Sequence, residues 1–349
     1  MRTLLGLIIA TALLIAASKV YSNEPTYVDD VAAIINDNCV VCHREGGIGP
    51  MQFENYEQIR PWSPLIQLKV ANREMPPYAY DEGIGIQELH GDWRLSQEDI
   101  DTVVAWVNAG SEYGDTDVVV QPPSLLDPDQ WNFYEDFGEP TLVIPSTPIA
   151  MGKWGEIVPE GVCRTIPAAS EIAWDIHMFP GGLGAIAPGT IIKDNVVEIG
   201  LWLYSPEESK ELAYEQDLKL YRISDQADIV IPPNGYHMTQ GFHSFDHPVR
   251  IDSWQPHGHL RMNAASFEIF YPDTGRTEQI SQVSNWSATW HHSHLYDPDY
   301  APLLPTGAVL VLKQWYDNTA NNLNNPDPDM WVVGGSRTGD EMTHAWIAV

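Results

Sequence analysis

The chain has 349 residues, long enough for two or three cored units rather than one small domain. Its 48 acidic residues against 18 basic ones give a net charge of −30, with no basic cluster, so nucleic acid and anionic membrane surfaces are disfavoured as partners. With 44% hydrophobic residues, 13 Trp and 15 Tyr, there is enough apolar material for packed cores, which excludes disorder over most of the length.

Residues 1–22 read as a signal peptide: Arg2, an apolar run from Leu4 to Ala17, then small and polar residues around Ser18 and Ser22. The run is short for a bilayer span, and no later stretch approaches about 18 apolar residues, so cleavage between Ala17 and Asn23 and a periplasmic or secreted protein without a membrane span are expected, an uncleaved anchor being the alternative. Export suits the next motif, because bacterial haem attachment through thioethers takes place outside the cytoplasm.

Residues 39–43 are Cys-Val-Val-Cys-His. At this spacing two cysteines add to the haem vinyl groups and the adjacent histidine binds the iron. A zinc half-site and a thioredoxin-like pair are the alternatives; there is no second Cys pair for zinc and no βαβ pattern for thioredoxin. Val31, Ile34 and Ile35 place the motif at the end of a helix beginning near Tyr27. Ser96 and Asp99 open a second helix with an apolar stripe of Ile100, Val103, Val104 and Val107 and a stop at Gly110. Two helices bracketing the motif are the plan of an all-α class I cytochrome c domain over 27–113, carrying one covalent haem c. Cys39 and Cys42 are its thioether donors and His43 one axial ligand. Met51, Met75 and His90 are candidates for the other. Met75 is preferred because Pro76 and Pro77 stiffen the chain after its sulfur, whereas Met51 reads as a core residue packed on the porphyrin.

Gly114, Pro122, Pro123 and Pro128 mark a linker over 114–135. From 136 to 349 the pattern changes to strands. Residues 171–178 and 197–203 alternate, 266–280 read as a hairpin around Pro272-Asp273-Thr274-Gly275, and 308–316 as a further strand. An all-β antiparallel sandwich, jelly-roll-like, is the expected class. Cys163, the one cysteine outside the haem motif, reads as a small buried hydrophobe.

Ten of the 12 histidines fall after residue 170. In Pro256-His257-Gly258-His259 the imidazoles are one residue apart and project from a strand on the same side, as two ligands of one metal ion would. His292-Ser293-His294 repeats the spacing.

Residues 254–262, the stretch from Asp317-Asn318-Thr319 to Asn325-Pro326-Asp327-Pro328, and Thr338-Gly339-Asp340-Glu341-Met342 occur in that order. Together they resemble the C-terminal domain of the copper type II, ascorbate-dependent monooxygenases, the peptidylglycine and dopamine hydroxylating group. The whole chain resembles bacterial proteins that fuse a cytochrome c domain to such a module. The resemblance implies that His257, His259 and Met342 hold the copper at which dioxygen binds and a small organic substrate is hydroxylated. Two imidazoles and a thioether favour Cu(I) over zinc. It also implies a second, electron-donating copper with His177 as one ligand, and His243 behind the first site. His237 and His247 read as structural.

The chain departs from that pattern in having no His-His pair between the linker and His177, and 138–154 look like a join where a longer lobe is lost. The second copper is then incomplete. His291, His292 or His294 could replace it, although 291–294 read first as a polar loop beside Tyr296. Alternatively the haem, fed by a periplasmic electron donor, supplies electrons to one copper as a tethered donor. The expected function is electron transfer from haem to copper for monooxygenation; a non-catalytic electron-transfer or copper-binding subunit is the alternative.

Overall fold

The computed structural model describes residues 24–45, 49–121 and 229–349, together with 162–163, 191, 204–205, 207–211, 216–217 and 220–224. The expected signal peptide, most of the linker, the expected strands at 171–178 and 197–203, and His177 lie outside the described residues, as does the side chain of Cys163.

The described part up to residue 121 is mainly helical. Thr26 caps a π-helical turn, Tyr27–Val31, by accepting from the Asp29 N–H, and the turn runs into α1 (Ala32–Asn38), which buries Ala32 and Ile35 and stops at Cys39. Asn55 caps α2 (Tyr56–Ile59), and the 3-10 turn Arg60–Trp62 leads into α3 (Ser63–Ala71). The last helix, α4 (Gln97–Asn108), begins where Ser96 Oγ accepts from the Asp99 N–H at 3.1 Å, and Gly110 follows it with φ 106°. Both ends match the sequence expectation. Tyr27, Val31, Ile35, Ile59, Ile66, Ile100, Val103 and Trp106 close one apolar core between these helices. Trp106 is pinned there by its indole N–H, which donates to the Glu112 carbonyl at 2.9 Å.

The rest is mostly antiparallel sheet. Fifteen strands are described: β1 (Leu89–His90), β2 (Val162–Cys163), β3 (Gln216–Asp217), β4 (Leu220–Ser224), β5 (Val230–Ile231), β6 (Tyr236–Ser244), β7 (Val249–Arg250), β8 (Ser253–His257), β9 (Met262–Tyr271), β10 (Arg276–Val283), β11 (His294–Tyr296), β12 (Leu303–Leu304), β13 (Val309–Asp317), β14 (Val332–Val333) and β15 (His344–Ala348). One sheet runs β1-β11-β8-β15-β4 and a second β10-β9-β13-β6; β12-β7, β14-β5 and the parallel β2-β3 are separate pairs. Trp254 and Ile347 from the first sheet and Phe267, Ile269, Leu310 and Leu312 from the second share one core, the layering of a β sandwich. Trp254 stacks on Phe267 with ring centres 5.4 Å apart. The expected hairpin is β9–β10, closed by a Gly275 N–H to Tyr271 carbonyl bond of 2.8 Å, and the expected strand at 308–316 is β13.

The helical and sheet parts are joined through residues 78–95. β1 pairs with β11 (Leu89↔Tyr296, His90↔Leu295), so the helical part contributes an edge to the five-stranded sheet. The Tyr80 hydroxyl donates to the Ile86 carbonyl at 2.6 Å and lies 2.8 Å from Ser281 Oγ. Asp81 accepts from the Ser284 N–H at 3.0 Å. Gly85, at φ +69°, passes so close to β10 that a Cβ would fall 2.2 Å from the Ile280 carbonyl oxygen, so only glycine fits. Among the described residues no helix is long and apolar enough to cross a membrane.

Candidate functional site

Helix α1 delivers the Cys-X-X-Cys-His segment. Its hydrogen bonding continues past Asn38, from the Cys39 N–H to the Ile35 carbonyl and from the His43 N–H to the Cys39 carbonyl, both at 2.9 Å. Those turns keep Cys39, Cys42 and His43 close along one stretch of chain. The His43 ring stacks on Phe53 at 4.4 Å, and its Nδ1 lies 3.0 Å from the Met51 carbonyl. A carbonyl only accepts, so Nδ1 carries the proton and Nε2 the lone pair, which is the tautomer an iron ligand needs. Gly49 lets the loop close over the ring, since a Cβ there would fall 2.5 Å from Nδ1. Burial pushes the Cys39 thiol up to about 12 and the Cys42 thiol upward. A redox-active Cys-X-X-Cys pair has its thiol lowered instead, so the environment argues against the thioredoxin-like alternative. The residues present therefore fit a covalent haem.

The three axial candidates fall in different places. Met51 packs against the helical core and His90 is exposed on β1. Met75 is half-buried just after α3, with its N–H donating to the Lys69 carbonyl at 3.3 Å.

The second locus lies at the ends of β8 and β15, where His257 and His344 are register partners with rings stacked at 4.5 Å. The His259 ring lies 5.6 Å and the His291 ring 4.9 Å from that of His257. His259 Nδ1 is 3.0 Å from the Asp340 carbonyl, which by the same logic makes Nε2 the lone-pair nitrogen. Fully buried Glu341 accepts from the backbone N–H groups of His259 (2.7 Å) and Arg261 (2.6 Å), tying the 257–261 turn to the segment carrying Met342. Burial pushes the Glu341 carboxyl up to about 7, against the pull of those N–H groups and the Arg261 charge. The Tyr316 hydroxyl donates to the Met342 carbonyl at 2.8 Å, and the Gln314 amide donates to the His257 carbonyl at 2.8 Å. His257 and His259 thus stand together, on a backbone fastened to the segment bearing Met342. Among the described residues no group of three or more His, Cys, Asp or Glu side chains has metal-holding geometry. Two imidazoles and a thioether are a donor set of another kind; here His257 and His259 supply neighbouring buried imidazoles, and Met342 directly follows the Glu341 that ties their turn.

Sequence reasoning did not single out His344, and it held Glu341, Arg261 and Asn318, whose side chain accepts from Arg261 Nε at 3.3 Å, only as parts of the quoted motifs, without a role. A buried ionic and amide framework leaves no hydrophobic periodicity to detect. The 291–294 segment also differs from the expected polar loop: His292 and His294 are buried, because His294 opens β11, a strand flanked on both sides by β1 and β8. His243 stands on β6, in the other sheet from His257, with its ring 4.6 Å from Phe245. His237 is 6.4 Å from the Tyr316 ring, and exposed His247 pairs with Asp246 at 2.6 Å.

No protein-family model matches the chain, and no curated protein matches it. Among solved structures, one of the infectious bursal disease virus Gt strain aligns at 14% identity over 44% of this chain, with a TM-score of 0.17. The alignment spans 36% of that viral chain, and a likeness this slight carries no argument about fold or function.

Proposed function

We propose that this chain is an exported haem and copper redox protein: a class I cytochrome c domain over 27–113 followed by a jelly-roll-like copper domain, passing electrons from a periplasmic donor to hydroxylate a small organic substrate with dioxygen. The observation that carries this function is the coincidence of two prepared sites in one chain. One is Cys39, Cys42 and His43 with the imidazole oriented by the Met51 carbonyl; the other is His257 and His259 fastened through Glu341 to the Met342 segment.

When bound, haem c supplies one-electron transfer, and copper held by His257, His259 and Met342 supplies dioxygen chemistry. The chain's own contribution is orientation. The Met51 and Asp340 carbonyls set the tautomers of His43 and His259, and Gln314, Tyr316 and Glu341 hold the backbone that carries the copper ligands. Met75 would supply the thioether that, with His43, holds the iron when haem is bound. His177 and His243 are assigned to the copper chemistry by resemblance alone.

A non-catalytic electron-transfer or copper-binding subunit is the second reading, favoured by one observation: residues 114–176 contain no histidine, hence no His-His pair for an electron-donating copper. Reductant-driven oxygen uptake decides between them. Copper-dependent uptake that disappears in His257→Ala supports the enzyme, and uptake equal in both proteins removes it.

A further inference from the structure

We propose that His292 and His294 form a second metal site, a two-imidazole clamp for Cu(I), at the joint between the helical part and the sheets. The site shares no residue with the His257 and His259 set and stands whether or not that set binds copper.

Both side chains are almost fully buried, at 3% and 1% exposure. Nδ1 and Nε2 of His292 and Nδ1 of His294 have no hydrogen-bond partner. Buried imidazoles normally satisfy their nitrogens, so three such atoms on two neighbouring rings call for a ligand. The ring centres are 6.2 Å apart. A metal bonded to one nitrogen of each ring, at about 2 Å per bond and with about 1 Å from nitrogen to ring centre, spans about 6 Å in a linear arrangement. The observed centre-to-centre separation equals that span.

The surroundings select the ion. Tyr78 lies 5.3 Å from both rings, Trp93 and Trp290 lie 5.4 Å and 6.0 Å from His292, and Trp254 lies 5.7 Å from His294. No carboxylate is among these neighbours. Cationic Arg94 sits over the Tyr78 and Tyr80 rings and is paired with Asp92. Zinc takes four ligands and hard divalent ions take oxygens, whereas a soft, singly charged ion accepts two imidazoles in an aromatic shell. Tyr78 and Trp93 come from the helical side and His292 and His294 from the sheet side, so the ion would sit at the joint between them.

The test uses full-length, haem-loaded protein stripped of copper and titrated anaerobically with Cu(I) against a chromophoric Cu(I) chelator. The proteins are wild type, His292→Phe, which preserves the aromatic packing, and His257→Ala. One tight equivalent lost in His292→Phe and retained in His257→Ala is the expected result. Equal stoichiometry in His292→Phe and wild type overturns the site, as does loss of all tight copper in His257→Ala. X-ray absorption of Cu(I)-loaded His257→Ala decides independently, including the case in which His292→Phe fails to fold. A two-coordinate nitrogen shell supports the clamp; sulfur ligation or three or more ligands refutes it.

Discussion

Replacing His292 by Phe should stabilise the metal-free protein, and the gain should grow as the solution is acidified. At pH 7 the variant removes a buried imidazole without hydrogen-bond partners and leaves a ring of similar shape among Tyr78, Trp93 and Trp290. An unsatisfied buried donor costs about 1–3 kcal/mol, so a gain of about 1 kcal/mol is expected. Burial lowers the His292 imidazole from 6.5 to about 4. The unfolded chain therefore binds the proton more readily, and the stability that depends on a neutral ring is complete above pH 6.5 and lost as pH falls toward 4. Between pH 7 and pH 5 that loss is about 2 kcal/mol in wild type and absent at this position in the variant. His294, lowered well below its usual value by burial with His292 and Arg94 adding, keeps part of the acid sensitivity in both proteins. Tyr78, Tyr80, Arg94 and its partner Asp92 are the other titratable groups facing the pair from the 78–94 segment. Urea unfolding at pH 7 and pH 5 in the presence of a chelator measures the difference. A variant less stable than wild type at both pH values, or with an unchanged pH dependence, refutes the reasoning.

Substitution of Met75 by Ala should lower the haem reduction potential and remove the optical signature of thioether ligation, whereas Met51→Ala should leave that signature intact; redox titration with optical spectroscopy checks both. Tyr80→Phe should cost about 1–3 kcal/mol by stripping a partner from buried Ser281 and the Ile86 carbonyl, seen as a lower urea midpoint. Ser96→Ala should cost about 1 kcal/mol through loss of the α4 cap, measured by thermal unfolding of the helical part.

Elements built on local rules were legible in the sequence. Ser96 and Gly110 marked α4, and the Pro272–Gly275 turn with its flanking alternation marked β9 and β10, because caps, turns and two-residue periodicity act within a few residues. Helices α2 and α3 escaped notice: Pro61 and Pro64 sit in first turns, where proline is tolerated but gives no helical periodicity, and Leu65, Ile66, Leu68 and Val70 form no single stripe. The β1–β11 pairing could not be foreseen, since two-residue strands have no period and their partners are separated by about 200 residues of chain. At the sites, sequence spacing found the Cys39 to His43 motif and the His257 and His259 pair. It missed His344, which reaches His257 only through β15–β8 register, and it read 291–294 as polar because burial of His292 and His294 is created by tertiary neighbours.

The central claim, one chain preparing separate haem and copper sites, is tested most directly by metal content and the reduced-state optical spectrum of protein matured in a haem-attaching host, wild type beside His257→Ala. The account predicts one covalent haem in both proteins and copper lost from the His257 site in the variant alone, with any copper held by His292 and His294 retained. A chain without covalent haem, or with the same copper content in both proteins, contradicts it.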